Sequence, residues 1–242
     1  MTEGIVKKLR PNLGEFAVFG MVVLLLAAAT HWRNGCWKSD VDLWTDCVKK
    51  SPHKARPYVN LGFAYFNEGV YDKSLEMGQR AIRLDPKSGD GYYCLSLAFQ
   101  KTGDLNKAIE MGKKSIEVDP DLDMVYTHLG KIYLERSQYE EAAEAFRKFL
   151  SIYPYFPEVH LLLAVCYGAQ RRFDQVVKEL EWEIRINPYH SLAHLNLGQI
   201  YWYEFRNREK AIYHLRVALR VDPFLPNRTG VQKLLRSLEG FS

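Results

Sequence analysis

ARPYVNLGFAYFNEGVYDKSLEMGQRAIRLDPKS (residues 55–88) runs directly into GDGYYCLSLAFQKTGDLNKAIEMGKKSIEVDPDL (residues 89–122). The two stretches are equally long and follow one plan. Each opens with an aromatic residue, then Leu, a small residue and a second aromatic: Tyr58, Leu61, Gly62, Tyr65, and Tyr92, Leu95, Ser96, Phe99. They close on Leu84-Asp85-Pro86 and Val118-Asp119-Pro120. Proline has no amide proton and its ring clashes with the preceding turn, so it marks where a helix stops. Outward from this pair the mark recurs. Pro52, Pro86, Pro120, Pro154 and Pro188 stand 34 residues apart, and Pro223 follows after 35. The spacing predicts a unit of two helices, stacked again and again.

The first-helix pattern continues as Tyr126, Leu129, Gly130, Tyr133, then His160, Leu163, Ala164, Tyr167, then His194, Leu197, Gly198, Tyr201. Offsets of three, four and seven put these residues on one helical face, where the small residue admits a second helix. On that second helix Ser74, Ala108, Ala142 and Val176 fall in phase, and Ala211 comes one residue late. Ala81, Ser115 and Ala218 offer a further small contact, while Phe146 and Phe149 make the third unit bulkier. A period of 34 is that of a tetratricopeptide (TPR) solenoid, and residues 37 to 242 resemble the TPR family. The resemblance implies an all-α, right-handed superhelical solenoid. Five repeats fall at 55–88, 89–122, 123–156, 157–190 and 191–225. A half-repeat linking helix precedes them at 35–54, carrying Trp37, Val41, Trp44 and Val48. Residues 226–242 should supply a capping helix, with Val231, Leu234, Leu235 and Leu238 covering the last apolar face. The turn glycines Gly69 and Gly103 give way in phase to Ser137, Arg171 and Phe205. An extra residue within Glu204-Phe205-Arg206-Asn207-Arg208 predicts a protruding loop.

Ahead of the repeats lie a tail, 1–12, and an apolar helix, 13–34. Residues 16–30 carry no charge. As a helix they rise about 22 Å, against roughly 30 Å of bilayer hydrocarbon, and the pair His31-Trp32 extends the stretch toward an interface. Three readings stay open: a single membrane anchor, a cleaved signal peptide ending near Ala27-Ala28-Ala29, and a buried helix completing the half-unit. Lys7, Lys8 and Arg10 before the segment, against Arg33 and Lys38 after it, favour a cytoplasmic N-terminus. The repeats would then be periplasmic or luminal, on an inner-membrane single-pass protein. Trp32-Arg33-Asn34, Trp37, Leu43-Trp44, Pro52 and Asn60-Leu61-Gly62 also resemble the junction of multi-spanning TPR membrane proteins of the O-mannosyltransferase type. That likeness implies the same side of the membrane; the chain is far too short to contain their catalytic membrane domain, so their enzymatic activity is not carried over.

Nothing in the chain reads as a catalytic, cofactor or metal site. There is no CxxC pair, haem-attachment motif or phosphate loop. Cys36 and Cys47 are too far apart along one helix to bridge, and Cys94 and Cys166 sit in separate repeats. His190 and His194 stand four apart, but His194 and His160 occupy the aromatic seam position of their repeats. Glu140, Glu141, Glu144, Glu179, Glu181 and Glu183 read as a solvated face with partners such as Glu144 and Lys148. A dispersed net charge of +4 gives no footprint for nucleic acid.

What remains is a binding face. In a TPR superhelix the first helices line the concave side, at the second, fifth, sixth, ninth and twelfth residues of each unit. These positions supply Arg56, Val59, Asn60, Phe63, Tyr93, Leu97, Thr127, His128, Lys131, Leu161, Val165, Leu195, Asn196, Gln199 and Trp202. A carboxylate clamp would need Lys in the second repeat, where Tyr93 and Cys94 stand instead. Apolar anchors with a few amides suit an extended segment or helix of a protein partner. The expected function is a membrane-anchored, non-enzymatic scaffold or adaptor. The alternatives are an accessory subunit of a membrane enzyme such as a glycosyltransferase, and a soluble periplasmic module released by cleavage.

Overall fold

Every proline of the series lies two residues beyond a helix end, as its missing amide requires. The structure, a computed structural model, describes residues 13–34, 38–156 and 158–240. The tail 1–12, Cys36 and Trp37 lie outside them. Thirteen helices and no strands occur among the described residues: α1 (Leu13–Asn34), α2 (Asp40–Lys50), α3 (Ala55–Asn67), α4 (Tyr71–Leu84), α5 (Gly89–Lys101), α6 (Leu105–Val118), α7 (Met124–Glu135), α8 (Tyr139–Ile152), α9 (Val159–Ala169), α10 (Phe173–Ile186), α11 (Ser191–Tyr203), α12 (Arg208–Val221) and α13 (Arg228–Glu239). Ser39, Ser88, Asp104 and Asn207 cap their helices by accepting the amide three residues on.

The chain divides into two units, residues 1–86 and 87–242. In the first, α2 packs on α3 and α3 on α4. Its core is Tyr58, Val59 and Ala81, with Val48, Phe63, Met77 and Leu84 against them. Along α1 every described side chain from Ala17 to His31 is exposed apart from the Gly20 position. That corrects the buried-helix reading of this segment. No helix among the described residues is long and apolar enough to cross a membrane.

In the second unit each of α5 to α13 packs on the next, and one core runs from Val125 to Leu238. The small residues permit this closeness. A methyl added at Gly130 would meet the Phe146 ring at 2.5 Å, and one at Gly198 would meet Leu215 at 2.7 Å. Turns between paired helices need one residue at positive φ, which Gly69 (78°) and Gly103 (87°) adopt without penalty. Ser137 (56°) and Arg171 (59°) take it over in phase. In the fifth repeat the left-handed residue is Arg206 (54°), not Phe205. The inserted residue enters before the turn, so α11 finishes first and the turn shifts by one.

Candidate functional site

In three of the five repeats the residue at the aromatic seam position has a second job. Tyr58 Oη donates to the Pro52 carbonyl (3.2 Å), His160 Nε2 to Pro154 (2.9 Å) and His194 Nε2 to Pro188 (3.2 Å). A donor at the tip of a flat ring thus reaches back six residues and fixes the entry of the first helix. In these three repeats Tyr and His are equivalent as such donors.

The histidines then engage different partners. His160 Nδ1 lies 2.8 Å from Glu179 Oε2. Burial opposes its charge, but the hydrogen bonds to Glu179 and Pro154 and the nearby Glu183 charge outweigh it and raise its pKa. His194 meets His214 Nδ1 to Nδ1 at 3.0 Å. His194 carries its proton on Nε2 for Pro188, so His214 must donate. Burial first, then the neighbouring His194 and Lys210 charges, depress His214 to about 4, and burial likewise lowers His194. His190 stands apart from this pair: its Nδ1 accepts the Ala193 amide and caps α11. The four-residue spacing of His190 and His194 therefore serves a cap and a seam.

The carboxylates are not one solvated face. Glu140, Glu141 and Glu144 are exposed, and Glu144 forms no ion pair with Lys148 among the described residues. Glu183 is 1% exposed, in the slot that Ala81, Ser115 and Ala218 occupy elsewhere. His190 Nε2 lies 3.8 Å from its Oε1, and Oε2 has no hydrogen-bond partner. Glu181 accepts from the Tyr201 hydroxyl at 3.1 Å.

The fifteen predicted lining residues divide by accessibility. In the first unit Arg56 is exposed, Asn60 and Phe63 are half-buried, and Val59 is core. In the second, Lys131 and Val165 are exposed, while Tyr93, Leu97, Leu161, Asn196, Gln199 and Trp202 are half-buried. Thr127, His128 and Leu195 are buried, which with Val59 removes four residues from the predicted surface. Their neighbours explain the burial. His128 Nε2 donates to Ser96 Oγ (2.9 Å), whose own proton goes to the Ala108 carbonyl (2.6 Å), and Tyr93 meets its ring edge-on at 5.5 Å. Packing between successive first helices thus consumes the positions that point along the stack.

Four predicted residues do come together. Leu161 and Val165 of α9 face Asn196 and Gln199 of α11 around a cavity of about 190 Å³. Gly168, Val176, Leu180 and Ile200 complete its wall. A larger cleft of about 740 Å³ was not foreseen. Its apolar floor includes Ile116, Tyr126 and Tyr133, and Lys113, Glu144 and Lys148 stand at its rim. It opens beside the second helices α6 and α8, where the lining-position rule does not look.

Residues 55–88 and 89–122, and separately 133–181, match the tetratricopeptide-repeat family. These segments are tetratricopeptide repeats. TPR structures align with most of the chain. YrrB, described as a TPR protein with an unusual peptide-binding site, aligns with a TM-score of 0.69 and 19% identity, over 78% of this chain and 97% of its own. MamA from Desulfovibrio magneticus RS-1, residues 41 to the end, gives 0.63 and 17%, over 72% and 97%. The Pseudomonas aeruginosa pilF structure gives 0.63 and 20%, over 77% and 85%. At such identities the likeness is one of fold. No curated protein matches the sequence. The resemblance of the 32–62 stretch to O-mannosyltransferase-type proteins finds no support in these matches. The TPR fold is a protein-interaction fold.

Proposed function

We propose that the chain is a non-enzymatic TPR scaffold or adaptor. It holds a segment of a protein partner against its first helices and is tethered through α1 in a membrane-associated or extracytoplasmic complex. One observation carries the binding face: α9 and α11 bring Leu161, Val165, Asn196 and Gln199 around a solvent-facing pit. Apolar walls with a few orienting amides are what peptide sites use. The aspartate variant V165D places a charge at a half-exposed position without disturbing the core. It should abolish recovery of the partner in detergent pull-downs while leaving the helical signal intact. Unchanged recovery would remove this face as the binding surface.

The tether rests on α1. Val18, Phe19 and Met21 to Leu26 are all exposed, and successive residues turn by about 100° on a helix, so apolar groups occupy its whole circumference. A helix apolar all round needs apolar surroundings on every side, whereas an interfacial helix keeps a polar face. Gly20, beside which a methyl would meet nothing, would let α1 approach another membrane helix, as an accessory subunit of a membrane enzyme requires. Alkaline carbonate extraction tests the tether: retention in the membrane pellet is expected, and release into the supernatant would refute it. Protease protection in vesicles would report the side, expected to be periplasmic or luminal.

A further inference from the structure

Gly168 lines the pit between α9 and α11, at a position where the other repeats carry a large side chain. At the twelfth residue of each repeat the chain has Phe66, Gln100, Leu134, Gly168 and Trp202. Four units place a large group there, and the fourth places none. Gly168 lies in α9 with ordinary helical backbone, so no turn or positive φ requires a glycine. Nor does crowding: a methyl added there would touch only Val176, at 3.9 Å. A helical glycine is unfavourable relative to alanine, because more backbone freedom is lost on folding. Here that cost returns nothing to the fold, and what it leaves is the cavity.

The surroundings define the occupant. The space is about 190 Å³, walled by Leu161, Val165 and Ile200. Asn196 and Gln199, three apart on α11, stand at its edge, and neither amide is hydrogen-bonded among the described residues. An apolar pit beside a free donor and acceptor pair matches one bulky apolar side chain on a peptide backbone.

We infer that Gly168 creates an anchor pocket for a single Leu-, Met- or Phe-sized side chain of an extended partner segment, whose adjacent peptide group is held by Asn196 and Gln199. This rests on the first-helix face being the binding surface and adds the feature by which a partner is chosen.

The test sets binding against stability. A phage-displayed library of random twelve-residue peptides is panned on the full-length chain in detergent and on its G168L and G168A variants. Wild-type selection should yield peptides sharing one large apolar position. The synthetic consensus peptide should bind G168L at least tenfold more weakly, and G168A by an intermediate factor. Neither variant should melt lower than wild type, since both gain helix propensity. N196A and Q199A should each weaken the peptide severalfold. Consensus binding by G168L within twofold of wild type, or selected peptides with no shared apolar position, would overturn the pocket while leaving the TPR face as a binding surface. Selected peptides that V165D and G168L both still bind would refute the face as well. A library giving no binder on wild type counts against the face and the pocket together.

Discussion

Arg206 holds a backbone conformation that suits glycine, and it does so because one residue was inserted ahead of it. An L-residue in the left-handed region costs about 1–2 kcal/mol, part of which glycine returns as chain entropy. R206G should therefore stabilise the fifth repeat by up to about 1 kcal/mol, while F205G should not. Thermal melting separates the two: R206G is expected to rise by about 2–4 °C, and a rise with F205G instead would place the turn where simple phase counting puts it. Gly130 makes the opposite demand. Its absent side chain is replaced by the Phe146 ring, at 2.5 Å from where a methyl would stand. G130A should cost about 1–3 kcal/mol by overpacking, read as a lower urea midpoint. An unchanged midpoint would mean that the ring moves aside freely. Alanine at glycines 130 and 168 thus has opposite expected effects, although both lie in the first helix of their repeat.

At the scale of elements, the helix ends were legible, although the fifth turn falls at Arg206 and not at the in-phase Phe205. Helix ends follow the prolines, and the closing helix follows Val231 and Leu238, both 3% exposed in the structure. The side of a helix that becomes a site was less legible. Val59, Thr127, His128 and Leu195 sit at positions that periodicity assigns to the groove, yet contact between neighbouring helices buries them. Glu183 is also buried, in a slot that Ala81, Ser115, Phe149 and Ala218 hold in the other repeats. Such outcomes depend on the spacing between adjacent helices, which no single helix encodes. Gly168 was readable as the odd member of its column, but only the cavity gives the oddity a meaning. The cap α13 offers an element-level test. Arg208 donates to the Leu238 carbonyl, and Arg216 pairs with Glu239 at 2.7 Å. L238A should cost about 2–4 kcal/mol by leaving a cavity. In a solenoid each repeat contacts only its neighbours, so hydrogen exchange should quicken in α12 and α11 and stay near wild type in α5 and α6. Uniform acceleration through all of them would show that the second unit melts as one block.

For the molecule as a whole, buried histidines of the second unit contribute to the response to acid. His128 is 6% exposed and its pKa falls to about 4, through burial first and then the Lys131 and Lys101 charges, against a partly offsetting hydrogen bond with Ser96. In the unfolded chain it titrates near 6.5, so the unfolded state binds the extra proton between about pH 6.5 and 4. Its stabilising contribution is therefore complete above pH 6.5 and is lost progressively as the pH falls toward 4, amounting to about 3 kcal/mol by linkage. His214, depressed to about 4, acts in the same direction. It faces His194 at 3.0 Å, so those two titrate as a pair. His160 acts in the opposite sense. Its raised pKa gives stability that is present below pH 6.5 and lost as the pH rises through the folded value. With His128 and the His194–His214 pair against His160, the second unit should weaken between pH 7 and pH 4.5. Carboxylates titrate in the same window, so the informative quantity is a difference between two chains. H128Q keeps an N–H for Ser96 but cannot charge. Urea midpoints at pH 7.5, 6.0 and 4.5 should fall less steeply for H128Q than for wild type, the two curves converging toward acid. Parallel curves would show that the buried His128 imidazole carries no acid sensitivity, and that the loss at low pH belongs to the carboxylates and the remaining histidines.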